Sequence, residues 1–154
     1  MTRTLFPCLF FFFATTAMKA QVLSVTPAFP SQNDTVTIIY DATQGNAALT
    51  GVIPVYAHAG LITNQSSSAT DWKHVQGNWG TADANVLTTP LGNNLHKITY
   101  HMPTFYGFGS GVAVQKMAFV FRNANGSIVG RATSGSDIYY DVYPANACLL
   151  YTSD

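Results

Sequence analysis

The sequence predicts an all-β protein built as an antiparallel β-sandwich. Short segments of alternating apolar and polar residues recur along the chain, and turn-forming Gly, Asn, Ser and Pro residues separate them. No segment between Gln21 and Pro144 keeps a helical apolar period over three turns. Hydrophobic residues make up 47% of the chain and charged residues only 9%, so the body of the chain packs a core rather than remaining disordered.

Seven segments have the alternation of a β-strand. In chain order they span residues 22–26, 35–41, 52–58, 94–102, 112–122, 127–131 and 137–143. Asn125-Gly126 predicts a hairpin between the fifth and sixth segments. Such a set is typical of an Ig-like β-sandwich of about seven to nine strands. The alternation predicts a core that contains Ile38, Tyr40, Ile98, Tyr100, Met117, Phe119, Phe121, Ile138 and Tyr140.

The chain of 154 residues has room for one domain after a short N-terminal segment. Residues 1–20 have the form of a secretory signal peptide, with a basic start at Arg3, an apolar run from Leu5 to Met18 and the small residue Ala20 before the expected cleavage. Cleavage would place the protein in the periplasm, outside the cell or on its surface, with no membrane contact afterwards. A retained membrane anchor is the alternative.

Residues 146–154 differ from the rest of the chain because they lack turn-forming signals. The stretch from Cys148 to Asp154 resembles translated sequencing-adapter sequence. We therefore expect a module at 21–145, an unstructured or artefactual tail, and a chain that is the N-terminal fragment of a larger protein. A natural frayed terminus is the alternative.

Charge and motif content exclude several classes of function. Lys and Arg together number 7 and Asp 7, with no Glu, so the formal net charge is zero and a nucleic-acid partner is not expected. The chain has no CxxC, HExxH or Gly-x-Ser-x-Gly motif, so we expect no cofactor, no metal and no catalysis by this segment. Asp137 and Asp141 lie four residues apart on one strand and could bind a cation or act as an acid–base pair, although such residues more often keep a sheet edge soluble.

The third predicted strand carries the first candidate binding residues. Alternation places its small apolar residues toward the core and turns Tyr56 and His58 outward. An exposed Tyr and His one pleat apart would make a platform for a sugar, whose apolar C–H face stacks on aromatic rings while its hydroxyls need hydrogen-bond partners. Tyr56 could equally pack in the core, and a structural hydrogen bond is the alternative role of His58.

Residues 59–93 form a long polar connection that contains both tryptophans, Trp72 and Trp79. A polar connection of this length that carries Trp is unusual for a spacer. Either indole could instead plug the side of the sandwich. For Trp72 we favour an exposed role, and for Trp79 both roles stay open.

The chain carries five blocks, VYAHAGLIT at 55–63, DWKHV at 71–75, Trp79-Gly80, MAFVFRNANG at 117–126 and GSDIY at 135–139. Together they resemble the N-terminal β-sandwich module of secreted α-amylase-family proteins from Bacteroidetes-type bacteria. The resemblance covers nearly all of residues 22–143. More distantly, the pattern is similar to the starch-binding modules appended to bacterial amylases.

The resemblance implies a noncatalytic module that binds α-glucan, a neutral polysaccharide or oligosaccharide, and precedes a catalytic domain of an α-amylase-family glycosidase. By position, Tyr56 and His58 match the platform strand and Trp72 matches the stacking tryptophan, while Lys73 and Trp79 are further candidates. Residues 131–137 lack the tryptophan found there in many starch-binding modules. The alternative function is a structural Ig-like spacer or adhesion module without a sugar ligand.

Overall fold

The protein is described by a computed structural model over residues 21–145, and within this range it is an antiparallel β-sandwich. Two sheets pack face to face around one core. The predicted fold class is therefore confirmed. The predicted signal peptide at 1–20 and the tail at 146–154 lie outside the described residues.

The described part of the chain contains nine strands, one short α-helix and one 3-10 helix. The strands are β1 (Leu23–Thr26), β2 (Thr35–Asp41), β3 (Tyr56–Thr63), β4 (Lys73–Gln76), β5 (Thr89–Gly92), β6 (Leu95–His101), β7 (Val114–Arg122), β8 (Val129–Gly130) and β9 (Ile138–Asp141). The helix α1 (Met102–Tyr106) follows β6, and the 3-10 helix spans Ala84–Val86.

The first sheet has the strand order β1-β2-β6-β5. The second sheet has the order β4-β3-β7, and β8 and β9 pair with successive parts of the remaining edge of β7. Gly60 of β3 lies opposite Ala118 of β7, which in turn lies opposite Tyr139 of β9. These three residues form one row across the second sheet.

The core lies between the two sheets and is rich in aromatic side chains. Tyr40 of β2 stacks on Phe121 of β7, with ring centroids 4.0 Å apart and planes within 5°. The Tyr100 hydroxyl lies 3.6 Å from the sulfur of Met117, so β6 and β7 are also in contact. All the predicted core residues are buried except Tyr140, which packs against the core and donates a hydrogen bond from its hydroxyl to the Ala28 carbonyl at 2.7 Å.

The third predicted strand is displaced along the chain, because β3 begins at Tyr56 and continues to Thr63. Pro54 has no N–H to donate to a neighbouring strand, so regular pairing starts beyond it. Ile53 is one of the small apolar residues of the predicted segment 52–58 that alternation assigned to the core, but it is exposed. Residues 59–63 are buried on both faces of the sheet, so they show no alternation that could have marked them as a strand.

β4 and β5 lie inside 59–93, which the sequence predicted to be a polar connection. β5 forms an edge of the first sheet, and an edge position tolerates the missing N–H of Pro90. The helix α1 is too short to show a helical period, although it carries Pro103 in its first turn and ends at Gly107, whose φ is 67°.

Candidate functional site

The outer face of the second sheet holds most of the predicted site residues. His58 and Val120 lie opposite each other on β3 and β7, and loops bring Trp72 and Trp79 across this face. Together they line a shallow groove of about 470 Å³, which we call the tryptophan groove. Its lining residues are His58, Thr70, Asp71, Trp72, Val75, Trp79, Val120, Arg131 and Asp137.

His58 is held at the centre of the groove by one hydrogen bond and two rings. Its Nδ1 lies 2.7 Å from the Gly77 carbonyl oxygen. Because a carbonyl only accepts, Nδ1 carries the proton, and a neutral His58 ring keeps Nε2 as an acceptor. The ring stacks on Trp72 at 5.8 Å between centroids and meets Trp79 edge-on at 5.3 Å. The structural hydrogen bond given as the alternative role of His58 is present, and the ring also lines the groove.

Trp72 is half-buried because it lies flat over a glycine of the sheet. A Cβ added at Gly60 would lie 2.9 Å from Cε3 of the indole, so this close approach requires glycine. The Trp72 Nε1 is buried and has no hydrogen-bond partner in the part of the chain that the structure describes. Trp72 was predicted to be exposed, and it is only partly so. One face of its indole covers the sheet, while the side chain still lines the groove.

Trp79 is the most exposed aromatic side chain of the groove, with 48% of its surface accessible. Its Nε1 would lie 2.9 Å from a Cβ placed at Gly126, so the indole rests against the glycine of the β7–β8 turn. The edge of His58 and the guanidinium of Arg122, which is 5.9 Å from the ring centroid, complete its support. Such packing fixes the ring while leaving part of it free to contact a ligand.

Tyr56 is not part of the exposed surface, which corrects the predicted Tyr–His platform. Its side chain is only 7% accessible and belongs to the core cluster. Tyr56 does lie on the same side of β3 as His58, as alternation predicted. It is covered there, because Leu87 forms a β-bridge to Tyr56 and the Arg122 guanidinium lies 5.4 Å from the Tyr56 ring centroid. The segment around Leu87 therefore closes the end of the sheet where β3 begins.

Lys73 lies beside the groove rather than in its lining. Its ammonium contacts Asp71 at 2.9 Å. The Asp71 carboxylate also accepts hydrogen bonds from the backbone N–H and the hydroxyl of Ser67 at 2.8 Å and 2.9 Å. The Ser67 backbone bond first, and the Lys73 bond second, lower the pKa of Asp71 to about 2. Lys73 thus helps to keep a groove carboxylate charged and in place.

Arg122 is a residue that the sequence interpretation missed. It is fully buried, and its guanidinium donates to the carbonyls of Asn123 and Ala124 at 3.1 Å and 3.0 Å and to those of Asn78 and Thr81 at 2.7 Å and 2.9 Å. Burial lowers the pKa of Arg122, and the nearby charge of Asp83 opposes that effect. These bonds tie the loop that carries Trp79 to the end of β7. The sequence signal that could have identified Arg122 is its position as a charged residue at the end of an apolar strand.

Arg131 and Asp137 form an ion pair in the lining of the groove, and neither was predicted as a sugar-binding residue. The Tyr139 hydroxyl lies 3.5 Å from the second oxygen of Asp137. Asp141 instead pairs with Lys116. Asp137 and Asp141, which were considered together as a cation site or an acid–base pair, are thus each paired with a different basic side chain.

The described residues contain neither a metal-ligand cluster nor a membrane-spanning helix. In residues 21–145 no three or more His, Cys or Asp side chains are grouped so that they could hold a metal ion. No helix in the same range is long and apolar enough to cross a membrane.

Comparison with known proteins gives a family match. The profile of a domain of unknown function (DUF8578) matches residues 23–129, which include β1 to β7 and every aromatic residue of the tryptophan groove. No curated protein matches the chain.

Proposed function

We propose that this chain, which belongs to the DUF8578 family, is a noncatalytic carbohydrate-binding module for neutral glucan chains, α-glucan first among them. The tryptophan groove is the binding site. The module serves a larger secreted glycoside hydrolase by holding its polymer near the catalytic domain.

The observation that carries this proposal is the exposed Trp79 indole set beside polar groups in one open groove. Sugar rings offer an apolar C–H face to an indole, and their hydroxyls need donors and acceptors around the ring edge. His58 Nε2 and the carboxylates of Asp71 and Asp137 can accept, while the Arg131 guanidinium donates. The groove therefore offers the two kinds of contact that a sugar requires.

Charge supports a neutral ligand. Residues 21–145 contain five Lys or Arg and six Asp, so the module carries almost no net charge. Within the groove, Arg131 is paired with Asp137. Asp71 is paired with Lys73. An anionic polymer would find no unpaired cluster of basic side chains there, whereas hydroxyl groups can share the oxygens and N–H groups of both pairs.

The noncatalytic assignment rests on the state of the carboxylates. Glycoside hydrolysis uses two carboxyl groups that face one sugar bond. Asp137 and Asp141 are held by Arg131 and Lys116, and Asp71 is kept ionised by its bonds to Ser67 and Lys73. A carboxyl group with so low a pKa is a poor general acid.

The test is affinity electrophoresis of the purified protein in gels that contain soluble starch. We expect the wild type to be retarded and Trp79→Ala to migrate as in a gel without starch, because the stacking surface is lost. Phe29→Ala is the matched control, since it removes another exposed aromatic side chain that lies outside the groove. Retardation of both variants equal to wild type would refute the assignment of the site.

The alternative function, a structural spacer or adhesion module, is favoured by one observation. Tyr56 is buried and Trp72 lies over Gly60, so two of the aromatic residues predicted to bind sugar contribute to the sandwich itself. If the wild type is not retarded by starch or any other α-glucan, the spacer becomes the better assignment.

A further inference from the structure

A second groove lies on the same outer face of the second sheet. It has a volume of about 340 Å³, and we call it the serine groove. The floor is formed by Ile62 of β3 and Lys116 of β7, and the loop 66–69 and Tyr139 form its sides. None of these residues is among the binding residues predicted from the sequence.

The two grooves share both of their walls. Ser66 to Ala69 line the serine groove, and the next residues of the same loop, Thr70 to Trp72, line the tryptophan groove. On the other side, Tyr139 borders the serine groove and Asp137 borders the tryptophan groove. The bonds from Ser67 to Asp71 fix the shape of the shared loop.

The floors of the grooves are also continuous along the strands. His58 and Ile62 lie four positions apart on β3, and their partners Val120 and Lys116 lie beside them on β7. At about 3.4 Å per residue, the two floors span roughly 14 Å. Gly60 and Ala118, both small, occupy the row between them.

Two aromatic side chains border this middle row. Trp72 covers Gly60, and Tyr139 lies opposite Ala118 on the other side of β7. Both are half-buried, so each leaves part of its ring accessible. A ligand that runs along the strands would pass from one groove to the other over this aromatic ridge.

We propose that the two grooves form one extended site that binds an internal stretch of a linear glucan chain, with the serine groove as a second subsite. This inference rests on the sugar-binding function proposed above. In the serine groove the hydroxyls of the loop, the Gln115 amide and the Lys116 ammonium supply hydrogen bonds to sugar hydroxyls. Lys116 is paired with Asp141, so the subsite has no strong excess of positive charge.

Isothermal titration calorimetry with maltotriose and maltoheptaose tests the extended site. We expect the wild type to bind maltoheptaose about tenfold more tightly than maltotriose, because only the longer sugar reaches both grooves. A longer chain also has more ways to bind a single groove, and that statistical gain is the same in every variant. The informative quantity is therefore the ratio of the two affinities, compared between proteins.

The variant Gln115→Ala/Lys116→Ala removes side chains of the serine groove, and we expect its affinity ratio to fall to about threefold or less. Lys97→Ala is the matched control, because Lys97 is a strand lysine on the first sheet and lines neither groove. Unchanged thermal unfolding and retained maltotriose binding verify that the double variant is folded.

The outcomes separate the two proposals. Binding of both sugars with the same ratio in the wild type and the double variant would overturn the extended site and leave the proposed function standing. If neither sugar binds the wild type, the proposed function fails, and the extended site fails with it.

Discussion

The outer faces of the two sheets differ although the sheets belong to one sandwich. On the first sheet β6 alternates between buried and exposed residues, and small polar side chains such as the hydrogen-bonded pair Thr37 and Thr99 face outward. On the second sheet β7 is buried on both faces from Met117 to Arg122. The difference arises because the loops that carry Trp72 and Trp79 cross the second sheet.

This difference bears on where a binding groove can form in the fold. A bare outer face costs little to mutate and offers a flat polar surface. A face crossed by loops has walls, supported aromatic rings and oriented polar groups, which are the elements of a binding groove. Substitutions at Phe119, Arg122, His96 and Thr99 test this comparison of the two sheets, in order from the largest expected effect to the smallest.

The first prediction concerns the inner face of β7 and gives the stability cost against which the outer face is compared. Phe119 is fully buried between the sheets and packs beside Phe121. We expect Phe119→Ala to lower the free energy of unfolding by about 3–5 kcal/mol, through lost burial and the cavity left behind. Denaturant unfolding measures the change, and a loss of less than about 1 kcal/mol would show that this face of β7 is not the core.

The second prediction concerns the outer face of the same strand. We expect Arg122→Ala to cost about 2–4 kcal/mol, because four carbonyl oxygens lose their donor and the loop of Trp79 loses its anchor. In a Trp72→Phe background Trp79 is the sole tryptophan. Adding Arg122→Ala to that background should shift the emission maximum of Trp79 to the red, because the ring becomes more exposed to water. An unchanged spectrum would mean that Arg122 does not position Trp79.

The third prediction tests the first sheet through pH. His96 of β6 is buried beside Tyr40, with Nδ1 3.5 Å from the Thr88 hydroxyl, and burial lowers its pKa from the ordinary value of 6.5. The unfolded chain therefore takes up the His96 proton at a higher pH than the folded chain, so stability is greatest above the ordinary pKa and falls as the pH decreases below it. Melting temperatures between pH 8 and pH 5 should show this fall, and His96→Asn should reduce it. An equal fall in both proteins would assign the effect to other groups.

The fourth prediction has the smallest expected effect. It concerns the outer face of the first sheet, as Arg122→Ala concerns that of the second. We expect Thr99→Ala to change the free energy of unfolding by about 0.5 kcal/mol or less, because its hydroxyl bonds Thr37 on an exposed face. Starch binding should not change either. A cost near that of Arg122→Ala would contradict the proposed contrast between the two faces.

The alternation of apolar residues was enough to predict the fold class, and eight of the nine residues assigned to the core are buried. Burial of one face between two sheets produces the period of two seen in β2 and β6. Alternation failed for residues 59–63, where coverage of both faces removes the period. It also failed at Ile53, since alternation cannot show where pairing starts.

Sequence and tertiary structure each determined part of the candidate site. Sequence alone determined that β3 turns Tyr56 and His58 to one face and that the connection after β3 carries both tryptophans. Only the tertiary structure decided that Tyr56 is buried, that Gly60 is the seat of Trp72, and that Arg131 and Asp137 join the groove. The physical reason is that parity depends on neighbours along one strand, whereas cover by a loop depends on residues far away in sequence, and no local pattern records which loop crosses which face.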